Sequence, residues 1–406
     1  MTKFRLAHLG LVMAAVGFTA ATPILGLTSV AYAADSVRAE VGKPLQEAQR
    51  LASAGKNKEA LAKLREADNV GGKTPFETYQ IERVRASAAA ASGDNGAAIK
   101  AFEAVINSGR LSASEAPKFT QGLAGMYYRA KDWPNAIIWI NRSLKDHEDA
   151  QMRELLIQTY YISGNYAAAA KELQARGGSS EASLQMLANI QLKQNDKAGY
   201  VSTLEKLAGN YPKTSYWADL LNRVSGKPGF SDRLSLDVMR LKLVNGLMSK
   251  PGDFMEMAQL SLQAANPAEA SKIVEQGYKK GALGTGTDAP RHQRLKDLAA
   301  KNLADNAKTA AKTQAELIKN GDADGLAAFG FASVSNGETD KGLALMNQAI
   351  GMTSLKHADE AKLHLGIAYA NAGQKAKAIA AFKSVKGTDG TADLARYWVL
   401  QLNHPM

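Results

Sequence analysis

The sequence predicts an all-α protein, a solenoid of about ten stacked antiparallel helix hairpins, and three regularities carry that prediction. Turns fall at Gly55, Gly93, Lys131, Gly164, Asn195, Ala265, Gly337 and Gly373. Seven residues before them lie Ala48, Ala86, Ala124, Ile157, Ala188, Ala258, Gly330 and Gly366, small in every case but Ile157. Five residues after them lie Ala60, Ala98, Ala136, Ala169, Tyr200, Ala270, Gly342 and Ala378, where Tyr200 is the exception. Nine after them lie Leu64, Phe102, Ile140, Leu173, Leu204, Val274, Met346 and Phe382, all apolar. Helices approach closely only where side chains are small, and the gap beside the crossing takes a large apolar filler.

Taken in chain order, residues 1–33 read as a secretory signal peptide. Lys3 and Arg5 precede an apolar stretch, no formal charge follows until Asp35, and Ala31-Tyr32-Ala33 forms a small-x-small cleavage site. Residues 9–34 are uncharged, long enough to act as an inner-membrane anchor if left uncut. In both readings the bulk of the chain is exported, and a periplasmic location is expected. Residues 34–280 read as an N-terminal array, the Gly-rich loop 281–290 as a bend, and 291–406 as a C-terminal array with a capping helix.

Successive turns are 38, 38, 33, 31, 70, 72 and 36 residues apart, so two degenerate units hide in the long gaps. In the first, Trp217, Leu220 and Leu221 precede the turn at 225–229; Ser231 is placed to cap a helix carrying Leu234, Val238, Leu241 and Leu247. In the second, residues 291–320 contain neither Gly nor Pro and fit one long helix or two joined near Asp305 and Asn306. Their few large apolar residues promise thin burial. TADLARYWVLQL at 391–402 reads as a final helix closing the last exposed apolar face, with Trp398 as the plug.

A period in the mid-thirties with helix, short turn and helix resembles the tetratricopeptide repeat. AKLHLGIAYANAGQKAKAIAAFKSV at 361–385 matches that family's pattern at Leu365, Gly366, Tyr369, Gly373, Ala378 and Phe382; segments 45–67 and 123–140 match nearly as well. The family's early Trp is absent. More narrowly, KNKEALAKLREAD, YWADLLNRVSGKPGFSDRLSLDVMRLKL and DGTADLARYW resemble periplasmic tetratricopeptide proteins of proteobacteria, some associated with TonB, ExbB and ExbD. The resemblance implies a right-handed superhelix whose first helices line a concave groove. It also implies a scaffolding role in envelope assembly or energy transduction.

The formal net charge is +11, and residues 271–320 hold ten Lys or Arg against five Asp or Glu. Such a segment suits an anionic envelope polymer or lipid surface, the alternative to a groove-bound partner, or is simply a solvated helix face. Nucleic acid is not expected for an exported chain. Cysteine is absent, which excludes disulfides, thiolate metal sites, thiol nucleophiles and a lipidated cysteine.

No catalytic signature emerges. HExxH and GxSxG are missing, Gly55-Lys56 is followed by Asn57 where a P-loop needs Ser or Thr, and GTGTD at 284–288 lacks the third glycine of a dinucleotide loop. His357 and His364, seven apart, can share a helix face as metal ligands. The simpler reading makes Asp359 or its neighbour a helix cap and His364 a surface residue. Neither enzyme activity nor a cofactor is expected.

The groove positions lie ten, six, three and two residues before each turn. In the third unit they include Gln121, Tyr128 and Arg129, in the fourth Gln158 and Tyr161, and in the fifth Gln185, Asn189 and Lys193. Amphipathic rings beside amides suit an extended peptide whose backbone seeks hydrogen bonds, although such residues are also ordinary on helix surfaces. Tyr127 and Tyr160 read as packing between helices. The Lys and Asn set with which some family members clamp a C-terminal carboxylate is not matched.

Overall fold

A computed structural model describes residues 36–175 and 177–406, so the expected signal peptide lies outside the described residues. The chain divides into two compact units, one ending at Gly177 and the other beginning at Gly178. In unit 1, eight helices pair as α1 (Ala39–Ser53) with α2 (Asn57–Asp68), α3 (Pro75–Ser92) with α4 (Asn95–Asn107), α5 (Ala116–Arg129) with α6 (Trp133–Asp146), and α7 (Ala150–Ile162) with α8 (Tyr166–Ala175). Unit 2 opens with α9 (Glu181–Lys193), α10 (Lys197–Asn210), α11 (Thr214–Ser225), α12 (Ser235–Val244), α13 (Pro251–Gln263) and α14 (Pro267–Lys279). It continues with α15 (Ala289–Lys319), α16 (Ala323–Ser335), α17 (Thr339–Ile350), α18 (Ala358–Asn371), α19 (Lys375–Lys383) and α20 (Thr391–Asn403). The protein is all-α, built of antiparallel hairpins. Among the described residues no helix is long and apolar enough to cross a membrane.

The turn chemistry read from sequence is present in every unit. All eight turn residues have positive φ, including the non-glycines Lys131 (60°), Asn195 (57°) and Ala265 (54°). In each case the next residue's N–H donates to the carbonyl five positions earlier, as Asp94 does to Ala89 (3.0 Å) and Asn266 to Ser261 (2.9 Å). That bond satisfies a carbonyl the helix end would leave orphaned. The same residue then starts the second helix: the Asp94, Asp132, Asp196 and Asn266 side chains accept N–H groups three residues on. In those four turns one residue therefore both ends one helix and caps the next, which keeps the turn short.

The small and apolar positions are buried throughout, and the two exceptions are buried as well. Ile157 is fully enclosed. Tyr200 overfills its slot and reaches α11, donating to the Asp219 carboxylate at 2.6 Å beneath the Arg223 guanidinium. The closest crossing is α16 with α17, where a Cβ added to Gly342 would lie 2.5 Å from the Gly330 carbonyl oxygen.

The two long gaps resolve differently. The first holds the expected hairpin, α11 with α12, but Ser231 does not cap α12 through its side chain; a 3-10 turn at Asp232–Leu234 intervenes. The Ser231 N–H donates instead to the Asp389 carbonyl (2.8 Å). The second gap holds one helix, α15, not a hairpin, so nine hairpins rather than about ten stand among the described residues. Of its 31 residues only His292, Leu295 and Ala299 are buried.

Unit 2 also closes on itself, which an open stack of nearest neighbours does not do. As expected, α20 packs on α18 and α19, with Trp398 stacked on Phe382 (5.9 Å). It packs on α10 and α12 as well. Tyr397 meets Trp217 edge-on (6.5 Å), Arg396 bonds Glu205 (2.9 Å), and Lys227 bonds Asp393 (2.8 Å). The segments SGKPGF and DGTADLARYW thus dock together, and a Cβ on Gly390 would come within 2.4 Å of the Phe230 ring.

Gly342→Ala should lower stability by about 1–3 kcal/mol, because backbone lies where the methyl must go. Gly252→Ala in the first turn of α13, with no atom within 4 Å of the new Cβ, should cost nothing. Urea denaturation of both variants checks this; equal midpoints would mean that the small crossing is not required.

Candidate functional site

In unit 1 the predicted face lies on α5 and α7. Tyr128 is half-buried and meets Trp133 edge-on at 5.5 Å and 65°; Tyr161 meets Tyr166 at 5.7 Å and the same 65°. Each pair joins the residue three before a turn to the residue two after it, so the two are equivalent and one repeat apart. Neither Tyr128 nor Tyr161 has a hydrogen-bond partner for its hydroxyl among the described residues, and burial raises the Tyr128 hydroxyl above the ordinary phenol range. Gln158 is half-buried and Arg129 exposed, while Gln121 donates weakly to Asp149 (3.4 Å). Beside this face Ile162 is 41% exposed. Tyr127 is buried between helices, as expected, and donates to Glu103 (2.6 Å).

The remaining predicted residues belong to unit 2. Gln185 is spent internally, donating to the Tyr216 hydroxyl (2.6 Å), which itself donates to Glu181. Asn189 is half-buried and Lys193 exposed.

Sequence reasoning missed the most charged interior of the molecule. In unit 2, α12, α13, α16 and α18 border an open pocket of about 490 Å³. Arg240, 5% exposed, sits at its wall, donating through Nε and Nη2 to both Glu269 oxygens (2.7 Å each) and through Nη1 to Asp237 (2.7 Å). His364 is not the surface residue expected: it stacks on Phe331 (5.2 Å) with Nε2 3.1 Å from Asp237 Oδ1. Asp359 does not cap α18; that place is taken by His357, and Asp359 accepts the Lys386 N–H (3.1 Å). Burial alone would raise the Asp237 pKa, but His364 and Arg240 outweigh it and hold the carboxyl at about 2. Burial likewise opposes charge on Arg240, and Glu269 and Asp237 keep its pKa above the ordinary value. These charges satisfy one another, so the network ties α12 to α14 and α18. Among the described residues no group of three or more His, Asp or Glu is placed to hold a metal. The faint signal in sequence was the pair Asp237 and Arg240, one turn apart inside an apolar helix.

Short turns, small crossings and stacked antiparallel hairpins define a helical-repeat protein. The tetratricopeptide-repeat pattern matches residues 83–151 and 332–393, and a second tetratricopeptide-repeat pattern matches 182–214, so the chain carries tetratricopeptide repeats. Such repeats are protein-interaction scaffolds and usually non-catalytic. No curated protein matches the chain. Among solved structures it is similar to the TPR2AB-domain:pHSP90 complex of yeast Sti1, at 14% identity and TM-score 0.32 over 64% of this chain and 98% of that one. It is also similar to yeast Tom70, at 11% identity and TM-score 0.23 over 89% and 94%.

Asp237→Asn should destabilise unit 2 by about 3–5 kcal/mol, since it strips a buried guanidinium of a counter-charge. Because the folded pKa is depressed, the stabilisation is present above the usual 3.8 and lost as pH falls through about 2. The wild-type advantage over the variant should therefore shrink by about 2 kcal/mol between pH 5 and pH 2, read by denaturant titration at each pH. A constant difference across that range would exclude an ionised Asp237.

Proposed function

We propose that this scaffold works in the cell envelope and holds an extended peptide or partner protein against the α5 and α7 face of unit 1. The observation that carries the reading is the repeated aromatic pair, Tyr128 on Trp133 and Tyr161 on Tyr166, with both tyrosine hydroxyls unpartnered among the described residues. The rings are braced from below, so they lose little freedom on binding, and their hydroxyls can meet peptide N–H or carbonyl groups. Gln121, Gln158 and Arg129 supply further polar contacts on the same unit, and Asn189 and Lys193 are the corresponding candidates on unit 2.

Export is supported by Lys3, Arg5, the uncharged run and Ala31-Tyr32-Ala33. The likeness of KNKEALAKLREAD and DGTADLARYW to TonB-associated periplasmic proteins supports an accessory part in envelope assembly or energy transduction. A second, separate contact is supported by the cationic outer face of α15, which suits an anionic envelope surface.

A photo-crosslinker at Gln158 should capture a defined partner in intact cells, and Tyr128→Ala with Tyr161→Ala should reduce the capture at least about tenfold with little change in melting temperature. Undiminished capture by the double variant would eliminate this face. Terminal sequencing of the protein from a periplasmic fraction should read from Ala34; recovery in the cytoplasm with Met1 intact would refute the envelope assignment.

A further inference from the structure

Helix α15 combines great length with little burial. From residue 300 to its end no side chain is buried, and the half-buried apolar residues Leu303, Ala310 and Leu317 lie on one side. On the opposite side, positions 291, 294, 298, 301, 305, 308, 312, 315 and 319 follow one another at steps of three or four. Six of these nine are Arg291, Arg294, Lys301, Lys308, Lys312 and Lys319, all exposed. Asp305 is the single acid in the row, shared by Lys301 (2.8 Å) and Lys308 (3.0 Å). Lys312 stands 3.9 Å from Glu316, while Arg291, Arg294 and Lys319 have no ion-pair partner among the described residues. At 1.5 Å per residue the line runs about 42 Å. A 3.5-residue spacing on a 3.6-residue helix makes it wind by about 80° over that length, within the sweep of flexible lysine and arginine stems.

We infer that this face of α15 lies along a bilayer whose surface carries anionic phospholipid headgroups. The inference rests on the second contact proposed above and is independent of the tyrosine face. The row's chemistry separates the bilayer from other anionic partners. A folded acidic protein seals its interface around a desolvated apolar centre, whereas the two large exposed apolar residues here, Leu298 (47%) and Ile318 (42%), stand about 30 Å apart along the axis. Single-stranded nucleic acid stacks its bases on aromatic rings, and α15 contains none. A convex rod offers an extended polymer no groove. An anionic plane asks only for a row of cations within a Debye length of it, and each contributes about fivefold to partitioning. Leu298, inside the cationic row, can dip below the headgroups without unfolding anything.

The test uses the full chain and sedimentation with vesicles of phosphatidylcholine alone or with 30% phosphatidylglycerol. Expected is salt-reversible binding confined to the phosphatidylglycerol vesicles, reduced more than about a hundredfold in Lys301→Glu/Lys308→Glu/Lys312→Glu. The corresponding triple alanine variant, which removes the three cations without adding anions and keeps the best helix former at each site, should lose about a hundredfold with unchanged helicity. Tyr128→Ala/Tyr161→Ala should bind vesicles as the wild type does, so failure here and failure of the peptide face are separately visible. Equal binding to both vesicle types, binding untouched by salt, or full binding by the alanine variant would overturn the inference. So would retention of the chain by polyglutamate but not by phosphatidylglycerol vesicles.

Discussion

Two helices joined by a one-residue reversal can cross only as closely as the side chains between them permit. Here the crossing is held to alanine and glycine in six of the nine hairpins among the described residues, and at Gly330 and Gly342 it is reduced to backbone against backbone. The rest follows from that distance. A tight crossing leaves one flank open, which Leu64, Phe102, Ile140 or Phe382 fills, and the filler's outer surface becomes the floor for the next hairpin. Where the rule is relaxed, the departure is used. Tyr200, in a slot made for alanine elsewhere, passes through to α11 and bonds Asp219.

Around this frame unit 2 adds a second kind of constraint. Apolar packing alone would let α12 slide against α16 and α18, because methyl groups offer no register. The Asp237, Arg240, Glu269 and His364 network fixes it, since a buried guanidinium tolerates very few geometries. Two other long-range bonds act in the same direction, from Asn266 to Ser335 (2.9 Å) and from Lys272 to the Ser335 carbonyl (2.5 Å). Unit 2 has thus spent much of its inward polar chemistry on itself. Unit 1 spends Tyr79 and Tyr127 in the same way but leaves the hydroxyls of Tyr128 and Tyr161 without a partner among the described residues.

The hairpins were legible because their spacing is a local property: a left-handed residue, two small residues and one filler within seventeen positions. Even Lys131 and Ala265, poor turn formers by composition, were betrayed by what stood around them. The closure of α20 on α10 and α12 was illegible for the opposite reason. It joins Trp217 to Tyr397 and Phe230 to Gly390 across about 160–180 residues, and no periodicity records such a pairing. His364 was misread on the same ground, since its helix says surface and only its distant partner Asp237 says interior. The candidate groove was half legible: the placement of Tyr128 and Tyr161 at equivalent positions was visible, their bracing by Trp133 and Tyr166 was not, and Gln185 proved committed to Tyr216.

The docking of α20 on α10 and α12 also orders events in time. As the polypeptide emerges from its N-terminus, each hairpin of unit 1 finds its neighbour within some forty residues and can consolidate at once. The helices from α9 to α12 must instead wait, with Trp217 and Leu234 lacking their final cover, until nearly two hundred further residues have appeared. During that interval they present apolar surface that the finished fold covers, and loss of the last dozen residues would leave it uncovered. A chaperone that recognises apolar helices would therefore be needed most by the middle of this protein, not by either end.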